Sequence, residues 1–175
     1  MVSARSRQDE LYEEATAAHG AALERVARSY ELDADKRRDL LQEIHLGLWR
    51  SFEGFQGQCS VRTWIYRVAQ NVAASHVIRH RRQRLRPHIS LDEITEMPSS
   101  LDHEAAADRQ RSVEQLYALI RMLNPIERQV IVLYLEGFDA ASIGEVTGLS
   151  PANVATRIHR IKKILADRFE RGRTQ

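Results

Sequence analysis

Apolar residues return every three or four positions along most of this chain, and that spacing restricts the fold to helices packed on helices. Leu11, Ala15, Ala18, Ala22 and Val26 form one such series, and Leu40, Leu41, Ile44 and Leu48 form a second. Eight glycines and four prolines among 175 residues leave few interruptions, so an all-α protein is expected rather than a sandwich or barrel. The interruptions that exist fall between the series. Asp33 to Asp35 break the first, and a loop with two glycines runs from Glu53 to Ser60. Helices are therefore expected over about 8–30, 35–51 and 61–82, with Ser60 capping the third and Pro87 stopping it.

The third series puts Val61, Trp64, Ile65, Val68 and Val72 inward. Beyond Pro98 and its two following serines, a helix over about 105–122 carries Val113, Leu116, Leu119, Ile120 and Leu123. Asn124 and Pro125 then read as a cap and first turn, and Gly137 as the end of that helix.

Charge divides the same chain differently. The formal net charge is only +2. Yet residues 54–89 carry seven arginines and no acid, and residues 90–108 carry six acids and no base. From Asn153 onward seven Lys or Arg face only Asp167 and Glu170. Two basic blocks on separate helices, parted by an acidic strip, indicate two modules that each meet an anion; nucleic acid is the obvious long polyanion. The organisation expected is two small helical domains, 1–88 and 109–175, joined by an acidic linker, 89–108.

The second domain ends in a helix-turn-helix pattern over residues 139–166. A short helix, about 140–147, turns Ile143 and Val146 inward, with small Gly144 at the crossing. Gly148 makes the turn, Leu149 plugs the gap below it, Ser150 caps the next helix and Pro151 opens it. Val154, Ile158, Ile161 and Leu165 form its buried stripe. Ala152, Asn153, Ala155, Thr156, Arg157, His159, Arg160, Lys162 and Lys163 point outward. Polar residues in the first turns and cations further along suit a helix that reads base edges and then holds phosphates.

Other chemistries find no support. One cysteine, Cys59, excludes an internal disulfide framework and a cysteine-based zinc site. His76 and His80 have the i, i+4 spacing of metal ligands, but their segment contains no acid to join them, so no metal and no cofactor are expected. There is no phosphate-binding glycine loop, nucleophile elbow or paired-carboxylate motif, so the chain is not expected to be an enzyme. No apolar run approaches the ~20 residues of a membrane span. The N-terminus, with Arg5, Arg7, Asp9 and Glu10, lacks the apolar core of a signal peptide. The expected location is the cytoplasm.

Three stretches carry a family resemblance. Trp49-Arg-Ser-Phe-Glu-Gly-Phe, Ser60-Val-Arg-Thr-Trp-Ile-Tyr-Arg-Val-Ala-Gln-Asn71 and the arginine cluster after it look like the first conserved domain of bacterial extracytoplasmic-function sigma factors. Leu123-Asn-Pro-Ile-Glu-Arg-Gln-Val, Glu136-Gly-Phe and Gly148-Leu-Ser-Pro-Ala-Asn-Val-Ala-Thr-Arg-Ile-His-Arg resemble their second. The resemblance implies a protein that binds core RNA polymerase and directs promoter-specific initiation without performing chemistry itself. It places core-polymerase contacts at Asp39, Gln42, Glu43, Leu46 and Trp49. It places the capture of a flipped base of the minus ten element at Asn71, with Ser75 and His76 beside it. Arg62, Arg67, Arg79, Arg81, Arg82 and Arg84 would hold phosphates there. Ala152, Asn153, Thr156, Arg157, Arg160, Lys162 and Lys163 would read the minus thirty-five element as duplex.

Two departures from the family pattern, Ala155 for a common Lys or Arg and Asn153 for a common Thr, imply an altered base preference. Many members are held inactive by an anti-sigma protein, which is thus a candidate partner beside polymerase and promoter DNA. The alternatives are a stand-alone helix-turn-helix regulator, which would not need the basic block at 54–89, and an adaptor without DNA binding, which would not need the last helix.

Overall fold

The computed structural model describes residues 6–84 and 105–173, with side chains over 6–80 and 109–169. All regular structure among them is α-helix: α1 (Arg7–Tyr30), α2 (Ala34–Phe52), α3 (Val61–Arg84), α4 (Ala105–Met122), α5 (Pro125–Leu135), α6 (Ala140–Thr147) and α7 (Pro151–Arg173). The helices fall into two compact units. The first holds α1–α3; the second holds α4, α5, the first half of α6, and α7. Of the acidic linker expected at 89–108, residues 89–104 lie outside the described residues, as does Pro87, and 105–108 form the first turn of α4.

In the first unit the helix ends are closed by short polar side chains. Ser6 caps α1 in a reciprocal box with Asp9, and Asp33 caps α2 by accepting from the amides of Asp35 and Lys36, both at 3.0 Å. Asp33 therefore opens a helix as well as separating two. Ser60 caps α3 as expected, its Oγ accepting from the Thr63 amide at 3.0 Å. The α2 seam is a clean four-residue ladder of Leu40, Ile44, Leu48 and Phe52, all buried. Along α1 the buried seam is Ala15, Ala22, Leu23, Val26, Ala27 and Tyr30; Ala18, expected inward, is exposed.

The α3 seam also differs from the expected one. Ile65, Tyr66, Ala69 and Ala73 are buried, Trp64, Val68 and Val72 are half-buried, and Val61 is exposed. Periodicity found the helix but chose its face by side-chain size, whereas the buried seam includes two alanines, Ala69 and Ala73. A buried polar contact ties α1 to α3, where the Tyr30 hydroxyl donates to Gln70 Oε1 at 2.6 Å. Gly47 serves close packing on α3, since a Cβ there would stand 2.9 Å from Val72 Cγ2.

In the second unit Leu119, Ile120 and Leu123 of α4 join Val130, Ile131 and Leu133 of α5 and Val154, Ile161 and Leu165 of α7 in the core. Val113, expected in that core, is exposed, and Ile158 is half-buried. Asn124 caps α5 through the Glu127 amide at 3.0 Å, with Pro125 in the first turn. Gly137 ends that helix at φ 78°. Asp139 caps α6 through the Ser142 amide at 2.8 Å; bonds from the Ser142 backbone and side chain hold this exposed carboxyl below its ordinary value.

Candidate nucleic-acid interface

The α6–α7 corner is built by two glycines and a serine. Gly148 takes φ 77°, a conformation that L side chains adopt rarely, and so turns the chain sharply. A Cβ on Gly144 would lie 2.6 Å from the Leu149 carbonyl oxygen, so only glycine permits that approach. Ser150 then caps α7 through the Asn153 amide at 3.3 Å. Ala152, Asn153, Ala155, Thr156, His159, Arg160, Lys162 and Lys163 are exposed as the sequence predicts, and Arg157 is half-buried.

Some of these side chains are already engaged. Arg157 Nε donates to Asn153 Oδ1 at 2.7 Å, one turn earlier, which fixes the guanidinium along the helix face. Thr156 Oγ1 donates back to the Ala152 carbonyl at 2.9 Å. Arg160 pairs with Glu127, whose carboxylate is fully buried and also accepts from Asn124 Nδ2 at 2.7 Å. Lys162 sits 5.3 Å above the Tyr134 ring. Sequence reasoning missed Glu127 and Tyr134. The Asn124-x-x-Glu127 spacing is a capping signal and could have flagged the glutamate, but nothing local ties it to an arginine on a helix 33 residues further on.

In the first unit Asn71, Ser75 and Arg79 of α3 meet Glu43, Leu46, Gly47 and Arg50 of α2 around an open cleft of about 490 Å³, with Val72 in its wall. Asn71 and Ser75 are exposed to it. Glu43 accepts from Arg79, and its other oxygen is 3.4 Å from His76 Nδ1. His76 needs correction as a DNA contact. It is 1% exposed, so it supports the cleft wall from behind and cannot meet a strand directly.

The His80 ring lies 4.2 Å from that of His76, and no group of three metal-ligating side chains occurs among the described residues. Arg62 is exposed, with its guanidinium 6.0 Å from the Tyr66 ring centroid, and Arg67 is half-buried. Tyr66 is buried, and Trp64 donates to Ser51 Oγ at 3.0 Å, so both belong to the packing of the unit. The side chains of Arg81, Arg82 and Arg84 lie outside the described residues, although their backbone continues α3.

The residues expected to meet polymerase divide into two groups. Asp39, Gln42, Leu46 and Trp49 follow a three-four-three spacing along α2 and form one exposed stripe, with Leu46 47% and Trp49 39% accessible. Glu43 is instead paired with Arg79 in the cleft, whose rim Leu46 shares with the stripe.

Comparison with known proteins matches two stretches of the chain to a family. The family Sigma-70 region 2 covers residues 16–83, on α1–α3, and Sigma-70 region 4 covers residues 113–165, on α4–α7. The chain belongs to the extracytoplasmic-function sigma factors. Its function is promoter-specific initiation of transcription, and a stand-alone regulator is not favoured.

Among relatives, the ECF RNA polymerase sigma factor SigX of Bacillus subtilis is 26% identical over 141 residues, spanning 79% of this chain and 73% of that one. SigG of Mycobacterium tuberculosis is 27% identical over 150 residues, spanning 73% of this chain and 40% of that one. Among solved structures, CnrH in complex with the cytosolic domain of CnrY aligns with a TM-score of 0.64 at 22% identity, over 91% of this sigma factor and 87% of CnrH. RpoE of Bartonella quintana in complex with the anti-sigma factor NepR aligns with a TM-score of 0.66 at 18% identity, over 89% and 94%. At those identities the structural likeness concerns the fold. No described helix is long and apolar enough to cross a membrane.

Proposed function

We propose that the two units of this sigma factor divide promoter recognition between single-stranded and duplex DNA. The α2 stripe of Asp39, Gln42, Leu46 and Trp49 docks on core RNA polymerase. The Asn71 cleft takes a base that has left the stack. The first turns of α7 read the upstream duplex, with Asn153, Thr156 and Arg157 at base edges and Lys162 and Lys163 at phosphates. The sigma factor acts in the cytoplasm, where the polymerase does the chemistry. An anti-sigma protein is a further partner class, as both solved structures above are complexes with another protein.

The observation that carries this reading is the Asn71 cleft. Sites for small ligands run from about 300 to 1,000 Å³, and this one at about 490 Å³ has room for a nucleobase. Its amide can pair with a base edge, the Val72 side chain offers an apolar wall, and Arg79 supplies charge for a phosphate. Discrimination in a pocket of this kind requires the base to be flipped out first.

The test is run-off transcription with the purified chain and sigma-free core polymerase, with permanganate footprinting of melted thymines. Asn71→Ala should lower open-complex formation by about 10-fold or more on a duplex promoter, consistent with a lost base-specific contact of 1–3 kcal/mol. Binding of the upstream element by the second unit should be unaffected. Equal melting by the wild type and Asn71→Ala would overturn the assignment.

A further inference from the structure

Trp49 is an exposed indole on the stripe assigned to polymerase, yet it is not free to rotate. Its Nε1 donates to Asp9 Oδ1 at 2.9 Å, and its backbone carbonyl accepts from Gln8 Nε2 at 2.7 Å. Asp9 is itself held, because Oδ2 accepts from Ser6 Oγ at 2.7 Å and the Ser6 amide at 3.3 Å. One turn along both helices the arrangement repeats: the Tyr12 hydroxyl lies 3.0 Å from His45 Nδ1, with the two rings edge to face at 6.0 Å. The first two turns of α1 therefore grip α2 at Trp49 and His45, four residues apart on one face. These turns precede residue 16, where the family match begins.

We propose that Asp9 is a positioning residue for polymerase docking: it fixes the Trp49 indole in the orientation that the partner meets, while Gln8 ties the Trp49 backbone to α1. This rests on the assignment of the α2 stripe to core polymerase. The physical gain is pre-organisation. An aromatic anchor that is already ordered in the free protein loses less side-chain freedom on association, and tryptophan is the residue type most enriched among dominant interface contacts. The carboxylate suits the task because it is an acceptor on both oxygens and can serve the helix cap and the indole at once. That double use also defines the control. Ser6→Ala removes the cap partner and leaves the indole acceptor in place, whereas Asp9→Ala removes both.

The test uses the full chain labelled with 5-fluorotryptophan, which gives one ¹⁹F resonance each for Trp49 and Trp64, and a fluorescence-anisotropy titration against core polymerase. Trp49→Phe assigns the resonances. Asp9→Ala should shift and broaden the Trp49 signal and weaken core binding about 3- to 10-fold, while Ser6→Ala leaves both near wild type. Asp9→Asn keeps an acceptor for the indole and should restore most of the affinity. If Trp49→Ala weakens core binding but Asp9→Ala does no more than Ser6→Ala, the positioning role is overturned and the docking stripe stands. If Trp49→Ala leaves core binding intact, the stripe assignment fails and the functional claim for Asp9 fails with it. In that case the ¹⁹F spectra still show whether Asp9 holds the ring.

Discussion

Glu43 shows how position decides what one side chain can do. On sequence it belongs with Asp39 and Gln42 as an acid offered to polymerase; in the fold it is turned to α3, where it holds Arg79 and faces His76. His45, two residues further on, is affected by burial. Desolvation lowers its pKa from the ordinary 6.5, against a smaller raising effect from Glu24. A histidine whose folded pKa lies below its unfolded value takes up its proton less readily when folded. Its contribution is complete above about pH 6.5 and is lost as the pH falls through that value toward the depressed one. Urea unfolding followed by tryptophan fluorescence should therefore show the first unit weakening as the pH falls below about 6.5, and His45→Phe should flatten that dependence. Tryptophan is a clean probe here, because Trp49 and Trp64 both lie in the first unit.

At the scale of the element, α7 carries cations with different jobs. Arg157 is linked only to Asn153 on its own helix among the bonds described, so Arg157→Ala should weaken duplex binding and leave the fold intact. Arg160 faces a fully buried carboxylate across the unit. Removing it strands Glu127 with only its Asn124 contact, and a buried charge without its partner costs several kcal/mol in full burial. Arg160 is itself more than half exposed, so about 1–3 kcal/mol is expected for Arg160→Ala. Amide hydrogen exchange should separate the two variants, with α5 and α7 losing protection in Arg160→Ala and not in Arg157→Ala. The corner before α7 has a steric test. Gly144→Ala pushes a methyl against the Leu149 carbonyl and should destabilise α6 and α7 by about 1–3 kcal/mol, read by the same exchange measurement.

At the scale of the molecule, the sign of charge along the chain matters more than its total. A protein near neutrality can still bind a polyanion strongly when its cations gather on two helices. Each phosphate contact releases condensed counterion, and log K falls with log salt at about 0.9 per contact on duplex DNA. Duplex binding of the minus thirty-five element should therefore lose about one unit of salt slope for each of Lys162→Ala and Lys163→Ala, measured by anisotropy over a salt series. An unchanged slope in either variant would remove that lysine from the phosphate contacts.

Much of this was legible in the sequence because it depends on neighbours a few positions apart. Helix ends follow from Ser60, Asn124–Pro125, Gly137 and Ser150, whose side chains or backbone freedom act within one turn. The helix-turn-helix follows from Gly144, Gly148 and the stripe of Val154 and Ile161. The family motifs follow from ordered local strings. What required the tertiary structure is every feature made by residues far apart in the chain. Val61 and Val113 share a helix face with buried Ile65 and Ile120 and yet stay exposed, since spacing does not say how far along the helix its neighbours reach. His76 stands in a segment that the sequence assigns to DNA, and is buried beside Glu43 of α2, a helix 30 residues earlier. Asp9 and Trp49, or Glu127 and Arg160, are bonded pairs that no local pattern marks. Periodicity fixes that a helix has an apolar face. Which residues on it are covered, and which polar groups become partners, depends on where the other helices lie.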